Sequence, residues 1–168
     1  NIIGIEAVSE RVDIARELPL RMGDDSVKLF DTVLQAGPNN VEDVRALTGG
    51  HGVERAVECS AHEQARLTAV QATRKWGRIA LIGEGGTMSA DFAPSRDMIH
   101  DQKTMYGSWV TNLWRMEELL ERLARWGVHP EDLITHRFSL DDAPKAYELM
   151  ASGKCGKVAV CFDEELEG

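Results

Sequence analysis

The sequence is poor in the features that mark secreted, membrane-bound and nucleic-acid-binding proteins. Its three cysteines are too few and too scattered for a disulfide framework. No apolar run approaches the roughly 18 residues of a membrane span, and the N-terminal residues are not typical of a signal peptide. The formal net charge of -9 argues against nucleic acid and anionic membranes as partners, because both select basic surfaces. A cytoplasmic protein with reduced thiols is the simplest expectation.

What the sequence does contain is a short apolar run that ends in glycines. Within residues 76–86, a Trp-Gly turn pair leads into Ile-Ala-Leu-Ile, and Gly83, Gly85 and Gly86 follow. A continuous apolar run of this length is typical of a strand buried on both faces of a parallel sheet. Glycines just past such a strand let the backbone approach a ligand closely. Ligands of open α/β sheets bind at this edge, although an ordinary loop after a buried strand is the alternative.

Strands and helices are predicted to alternate along the 168 residues, which is typical of βαβ units in one domain. Apolar runs predict strands at residues 1–6, 27–30, 53–59, 78–82, 87–92, 103–110, 134–140 and 157–162. Apolar residues at helical spacing predict helices at residues 9–18, 40–48, 61–74, 113–126 and 141–152, with a helical turn at 95–101. The expected fold is α/β and Rossmann-like, with a doubly wound, mostly parallel sheet that lacks its first βα unit.

The first predicted strand ends in a carboxylate, Glu6. An acid at the end of the second strand of a dinucleotide fold accepts hydrogen bonds from the adenosine ribose. Its charge would repel a 2′-phosphate, so Glu6 favours NAD over NADP; a solvent-exposed carboxylate is the alternative. The glycine-rich turn that holds the pyrophosphate lies about 20 residues before such an acid. The sequence is therefore expected to be a piece of a longer protein.

Several short stretches together resemble a known family. The matching stretches are residues 2–6 (IIGIE), 47–53 (LTGGHGV), 56–60 (AVECS), 77–83 (GRIALIG), 106–109 (YGSW), 134–136 (ITH) and 156–158 (GKV). In this order they resemble the C-terminal half of medium-chain, zinc-type alcohol dehydrogenases, especially the sorbitol and threonine dehydrogenase-like branch. The resemblance covers nearly the whole chain.

The resemblance implies that residues 1–162 are a partial NAD-binding Rossmann-type domain followed by C-terminal elements of the dehydrogenase. Residues 163–168 would be an acidic tail, and the N-terminal catalytic, GroES-like domain would be absent. The implied cofactor is NAD, and the residues implied to bind it are Glu6, Arg11, Ser60, Ala61, Ile82, Gly83, Glu84, Ser108, Val110 and Lys157. The parent protein would oxidise a secondary alcohol or polyol.

The catalytic zinc of this family has no visible ligands in the chain. The resemblance places those ligands in the N-terminal domain, and Cys155 and Cys161 lie too far apart, without a third partner nearby, for a zinc site. Both read as core cysteines, and the five histidines are dispersed. We therefore expect no catalytic and no metal-binding residue here, and no alcohol oxidation by this chain alone.

Partners and alternative functions are expected as follows. In the family, the strand that matches residues 88–92 pairs with its mate across a two-fold axis, so a homodimer through Met88 and Phe92 is expected. No nucleic-acid or membrane partner is expected. Two alternative functions stay open, a non-catalytic nucleotide-binding module and a methyltransferase-like Rossmann protein.

Overall fold

The structure, a computed structural model, describes residues 1–17, 19–23 and 25–162. Its strands are β1 (Ile3–Glu6), β2 (Pro19–Met22), β3 (Asp25–Lys28), β4 (Thr32–Gln35), β5 (Val53–Glu58), β6 (Thr73–Leu81), β7 (Thr104–Gly107), β8 (Ile134–Ser139) and β9 (Lys157–Cys161). Its helices are α1 (Ser9–Glu17), α2 (Asn40–Leu47), α3 (Glu63–Ala72), α4 (Leu113–Trp126) and α5 (Ala143–Ser152), with a π-helical turn at Ser95–Ile99 and a 3-10 turn at Pro130–Leu133. The chain divides into two compact units: unit 1 comprises residues 1–36 and those from 112 onward, and unit 2 comprises residues 37–111.

Unit 2 is built on a three-stranded parallel sheet in the order β5-β6-β7. The central strand β6 contributes Ile79, which pairs with Ala56 of β5 and Met105 of β7. Ile79 and Val70 of α3 are fully buried. Because α3 packs against β5 and β6, the core lies between this helix and the sheet. Parallel pairing brings the carboxyl ends of all three strands to one edge.

Unit 1 contains two parallel strand pairs and one antiparallel hairpin. β1 pairs with β4, and α1 packs on both strands, with Val12 and Val33 buried. β8 pairs with β9, and α5 packs on them, with Ala146 and Cys155 buried. The hairpin β2–β3 contacts the 3-10 turn, where Arg21 of β2 pairs with Asp132. Each of the two parallel strand pairs, together with its helix, thus has its own small apolar core.

The predicted alternation of strands and helices is confirmed, and the fold is a mixed α/β arrangement with mostly parallel strands. Helix α4 has the predicted bounds, because Asn112 caps its first turn by accepting from the Arg115 amide at 2.9 Å. Gly127 ends it in the left-handed region at φ 61°. Leu18, the last residue of the helix predicted at 9–18, and the acidic tail predicted at residues 163–168 lie outside the described residues.

The predicted strand at residues 87–92 is wrong. The segment is irregular and closes in a turn, in which the Phe92 amide donates to the Ser89 carbonyl at 3.0 Å. The Asp91 amide also donates to Ser89 Oγ at 3.3 Å. A serine side chain that bonds a nearby amide offers the backbone an alternative to strand pairing. The alternation of Met88 and Phe92 was therefore not a strand signal here.

The strand prediction between residues 19 and 39 was incomplete. Strands β2 and β4 were missed, and the strand predicted at residues 27–30 overlaps only the end of β3. Helix α4 has no buried side chain although its apolar face is regular, and Leu113 is 82% exposed.

Among the described residues, no helix combines the length and the apolarity that crossing a membrane would require.

Candidate functional site

The carboxyl ends of β6 and β7 border an open cavity of about 410 Å³ in unit 2. This volume is within the roughly 300–1,000 Å³ that small-molecule sites occupy. We refer to it as the β6–β7 cavity, and its lining consists of Arg66, Leu81, Ile82, Gly83, Glu84, Gly85, Gly107, Ser108 and Trp109. Backbone bonds hold its two walls in register with the sheet: the Gly83 amide donates to the Glu58 carbonyl at 3.0 Å, and the Ser108 amide donates to the Leu81 carbonyl at 3.0 Å.

Glycines allow the loops after β5 and β6 to touch. A Cβ on Gly83 would lie 2.3 Å from the Ala61 nitrogen, and one on Gly86 would lie 2.0 Å from the Ala61 oxygen. Both distances are far below van der Waals contact, so a side chain at either position would force the loops apart. Ala61 itself has φ 64°, in the left-handed region that a non-glycine residue adopts at a cost of about 1 kcal/mol.

A buried carboxylate organises the loop after β5. The Glu58 side chain is 3% exposed. Its Oε1 accepts from the Ser60 amide and the Ser60 hydroxyl, both at 2.6 Å, and from the Ala61 amide at 3.0 Å. Three donors on one oxygen fix the start of this loop against the end of its strand.

An arginine of α3 organises the loop after β6. Arg66 Nη2 donates to the Gly83 carbonyl at 2.8 Å and to the Gly85 carbonyl at 2.7 Å. Its Nε lies 3.7 Å from Glu58 Oε2. The Arg66 side chain is 11% exposed, and its Nε has no hydrogen-bond partner among the described residues. Charge and hydrogen bonds thus link both loops to α3.

The structure brings four of the predicted cofactor residues together. Ile82, Gly83, Glu84 and Ser108 line the β6–β7 cavity. Ser60 and Ala61 form the neighbouring loop, in contact with Gly83. Val110 is 78% exposed and is not part of the lining.

The three other predicted residues lie in unit 1. Glu6 ends β1, and its Oε1 accepts from the Ala7 and Val8 amides at 2.7 and 2.9 Å. Arg11 donates to the Cys155 carbonyl at 2.9 Å. Lys157 is exposed at the start of β9.

Sequence reasoning missed the contributions of Glu58, Arg66 and Trp109. A signal for Glu58 existed, because an acid that ends a buried strand needs a local partner. No sequence signal distinguished Arg66 from the other arginines, since its role depends on where α3 places it. Trp109 lies in the resembling stretch at residues 106–109 and in the strand predicted at 103–110, but no binding role was predicted for it.

The described residues do not fit a catalytic zinc. No group of three or more His, Cys, Asp and Glu side chains in the described part of the chain is arranged to hold a metal ion. The Cys155 thiol is buried and donates to the Leu149 carbonyl at 3.7 Å, as expected for a core cysteine.

Comparisons with known proteins give consistent matches. The family model described as zinc-binding dehydrogenase matches residues 1–125. The chain is 39% identical over 163 residues to the uncharacterized zinc-type alcohol dehydrogenase-like protein YphC of Escherichia coli K12. This alignment covers 97% of the chain and 43% of that protein. It is 33% identical over 154 residues to L-threonine 3-dehydrogenase of Pyrococcus abyssi, covering 90% of the chain and 42% of that enzyme.

A solved structure agrees in fold. Alcohol dehydrogenase TADH from Thermus sp. ATN1 superposes with a TM-score of 0.77 at 22% identity, over 96% of this chain and 44% of that one. The chain therefore spans less than half the length of the proteins it matches.

Proposed function

The chain belongs to the zinc-binding dehydrogenase family, and on that premise we propose that it binds the nicotinamide cofactor of an NAD-dependent alcohol dehydrogenase. In the full-length parent the substrate would be a secondary alcohol or polyol. Relatives named zinc-type alcohol dehydrogenase-like protein and L-threonine 3-dehydrogenase support this class of substrate.

One observation carries the proposal: the β6–β7 cavity lies at the carboxyl edge of a parallel sheet and is lined by Gly83, Gly85 and Gly107. Glycines there let a flat ring approach the backbone. The residues present fit a nicotinamide, since Ser108 and Glu84 supply polar groups beside the apolar Ile82 and Leu81. The cofactor, when bound, would accept the hydride, while this chain's part is to bind and orient the ring.

The cofactor preference proposed is NAD over NADP. The amides of Ala7 and Val8 hold the Glu6 carboxylate at the end of β1. A fixed negative charge at this position would repel a 2′-phosphate by about 1 kcal/mol, or about fivefold in affinity.

An NMR titration of the chain with NAD and NADP, followed by the chemical shifts of backbone amides, tests both the binding site and the cofactor preference. This method detects even weak binding. We expect NAD to shift the amides of Gly83, Gly85 and Ser108 and to bind at least about fivefold more tightly than NADP. Glu6→Gln should narrow that gap, whereas Glu17→Gln, a charge removed from the exposed end of α1, should not. Tighter binding of NADP, or shifts confined to residues away from the cavity, would contradict the proposal.

The alternative of a non-catalytic nucleotide-binding module is favoured for the isolated chain by one observation, the lack of a metal donor set among its described residues. We propose that this chain alone oxidises no alcohol. The test is to incubate the metal-analysed chain with zinc, NAD and a panel of secondary alcohols and polyols. Bound stoichiometric zinc with sustained NADH formation would refute it.

Self-association through Met88 and Phe92 stays a prediction. Both side chains are half-buried in an irregular segment, so pairing across a two-fold axis would require this segment to become extended. Sedimentation velocity at tens of micromolar tests it, with Phe92→Ser as the variant expected to dissociate a dimer. A monomeric wild-type chain would exclude it.

A further inference from the structure

Arg66, which lines the β6–β7 cavity, forms a buried ion pair with Glu58 that joins three elements. Glu58 ends β5, Arg66 lies in α3, and the carbonyls that Arg66 binds follow β6. The Glu58 side chain is 3% exposed and that of Arg66 is 11% exposed. Charged side chains are seldom buried to this degree unless they are paired.

The two partners act on different loops. The Glu58 carboxylate bonds the Ser60 and Ala61 amides, which lie after β5. The Arg66 guanidinium bonds the Gly83 and Gly85 carbonyls, which lie after β6. The ion pair is therefore a link between the loops in addition to the close packing of Gly83 on Ala61. Substitution of either Glu58 or Arg66 should therefore increase the mobility of both loops.

Arg66 and Glu58 interact through their charges and not through a direct hydrogen bond. Arg66 Nε and Glu58 Oε2 are 3.7 Å apart, beyond hydrogen-bond range, and the buried Nε has no other partner among the described residues. A buried donor without a protein acceptor is uncommon in folded proteins. Arg66 also lines the cavity directly.

We propose that Glu58 and Arg66 form a positioning pair that sets the spacing of the loops at residues 59–61 and 83–85, and through them the affinity of the cavity for the nicotinamide half of the cofactor. The ligand part of this inference rests on the proposed function. The positioning part does not, because it concerns only contacts within unit 2.

Hydrogen exchange of the full chain tests the positioning part. We expect Arg66→Met and Glu58→Gln each to raise amide exchange in both loops by about tenfold or more, equivalent to about 1.4 kcal/mol of lost protection. Arg74→Met is the matched control, since Arg74 also pairs with a glutamate of unit 2, Glu54, but at the surface. Faster exchange only in the loop bonded directly by the altered residue, or no more than in the control, would overturn the pair's role. If Glu58→Gln loses protection from amide exchange throughout β5 and β6, that variant has unfolded. The exchange rates of the Arg66→Met variant then decide whether the pair positions both loops.

Nicotinamide mononucleotide and AMP are the probes for the ligand part. Arg66→Met should weaken binding of nicotinamide mononucleotide about tenfold and leave AMP binding unchanged. Arg66→Lys, which keeps the charge and a donor, should restore part of the loss. Equal weakening of both ligands, or no rescue by lysine, would overturn the link to the nicotinamide half. A wild-type chain that binds neither ligand would refute the proposed function, while the exchange data would still decide the positioning role.

Discussion

The buried carboxylate of Asp97 makes a stability prediction with a defined pH dependence. Asp97 lies in the π-helical turn of unit 2 and is 4% exposed. Arg96 Nε donates to its Oδ1 at 2.7 Å, and the Ala93 amide donates to its Oδ2 at 2.8 Å. Gln71 of α3 donates to Oδ1 at 3.3 Å, so the carboxylate joins the turn to the helix.

These contacts lower the pKa of Asp97 from 3.8 to about 2; the hydrogen bond from Arg96 contributes most, and burial opposes it. At about 1.4 kcal/mol for each pKa unit, the change stabilises the folded chain by about 2 kcal/mol at neutral pH. The pKa is depressed in the folded state. This stabilisation is therefore complete above the unfolded pKa of 3.8 and is lost as the pH falls through about 2.

The variant Asp97→Asn keeps the shape but removes the charge. We expect its free energy of unfolding in urea to be about 2 kcal/mol lower than wild type at neutral pH, and the difference to fall to about half near pH 3. Amide exchange at Ala93 should rise in parallel, because that amide loses a charged acceptor.

Asp91→Asn is the control, since it removes an exposed charge near the same Arg96 without a buried hydrogen bond through its side chain. A difference between Asp97→Asn and wild type that stays constant with pH, or a loss no larger than that of Asp91→Asn, would refute the reasoning.

Two further predictions concern the loops of the cavity. Gly83→Ala should destabilise the chain by about 1–3 kcal/mol in urea and abolish nicotinamide mononucleotide binding, because its Cβ would lie 2.3 Å from a backbone nitrogen. Gly107→Ala, where a Cβ meets nothing within 4 Å, should change the free energy of unfolding by no more than about 0.5 kcal/mol. A loss of stability equal to that of Gly83→Ala would contradict this. Ala61→Gly should leave stability unchanged or raise it, because it relieves a positive φ of 64° at the cost of about 0.4–1 kcal/mol of chain freedom. A loss of more than about 1 kcal/mol in the free energy of unfolding would contradict this prediction.

Part of the candidate site could be predicted from local sequence alone. A buried strand followed by Gly83 and Gly85 predicts a ligand edge, and the structure lines a cavity with both residues. Ile82, Glu84 and Ser108 were predicted by resemblance, and they line the same cavity. The prediction of Glu6, Arg11 and Lys157 as cofactor residues is not tested by contacts within their own unit.

Elements with local signals could be predicted from the order of residues. Apolar runs specify buried strands, helical spacing specifies α4, and Asn112 and Gly127 specify its ends through bonds within one turn. These signals depend on neighbours a few residues away, so they can be read directly from the order of residues.

Which side chains meet across elements could not be predicted from local patterns and is known from the folded structure. The pairing of Glu58 with Arg66, and the contact of Gly83 with Ala61, depend on the register of β5 with β6 and on the placement of α3. The same holds for residues 87–92, where a turn replaced the strand that alternation predicted. A period of two is necessary for a half-buried strand, but a strand also needs a partner edge, and the side chain of Ser89 offers the backbone a local bond instead. Whether a partner edge is available depends on residues distant in the sequence, and a local pattern does not encode it.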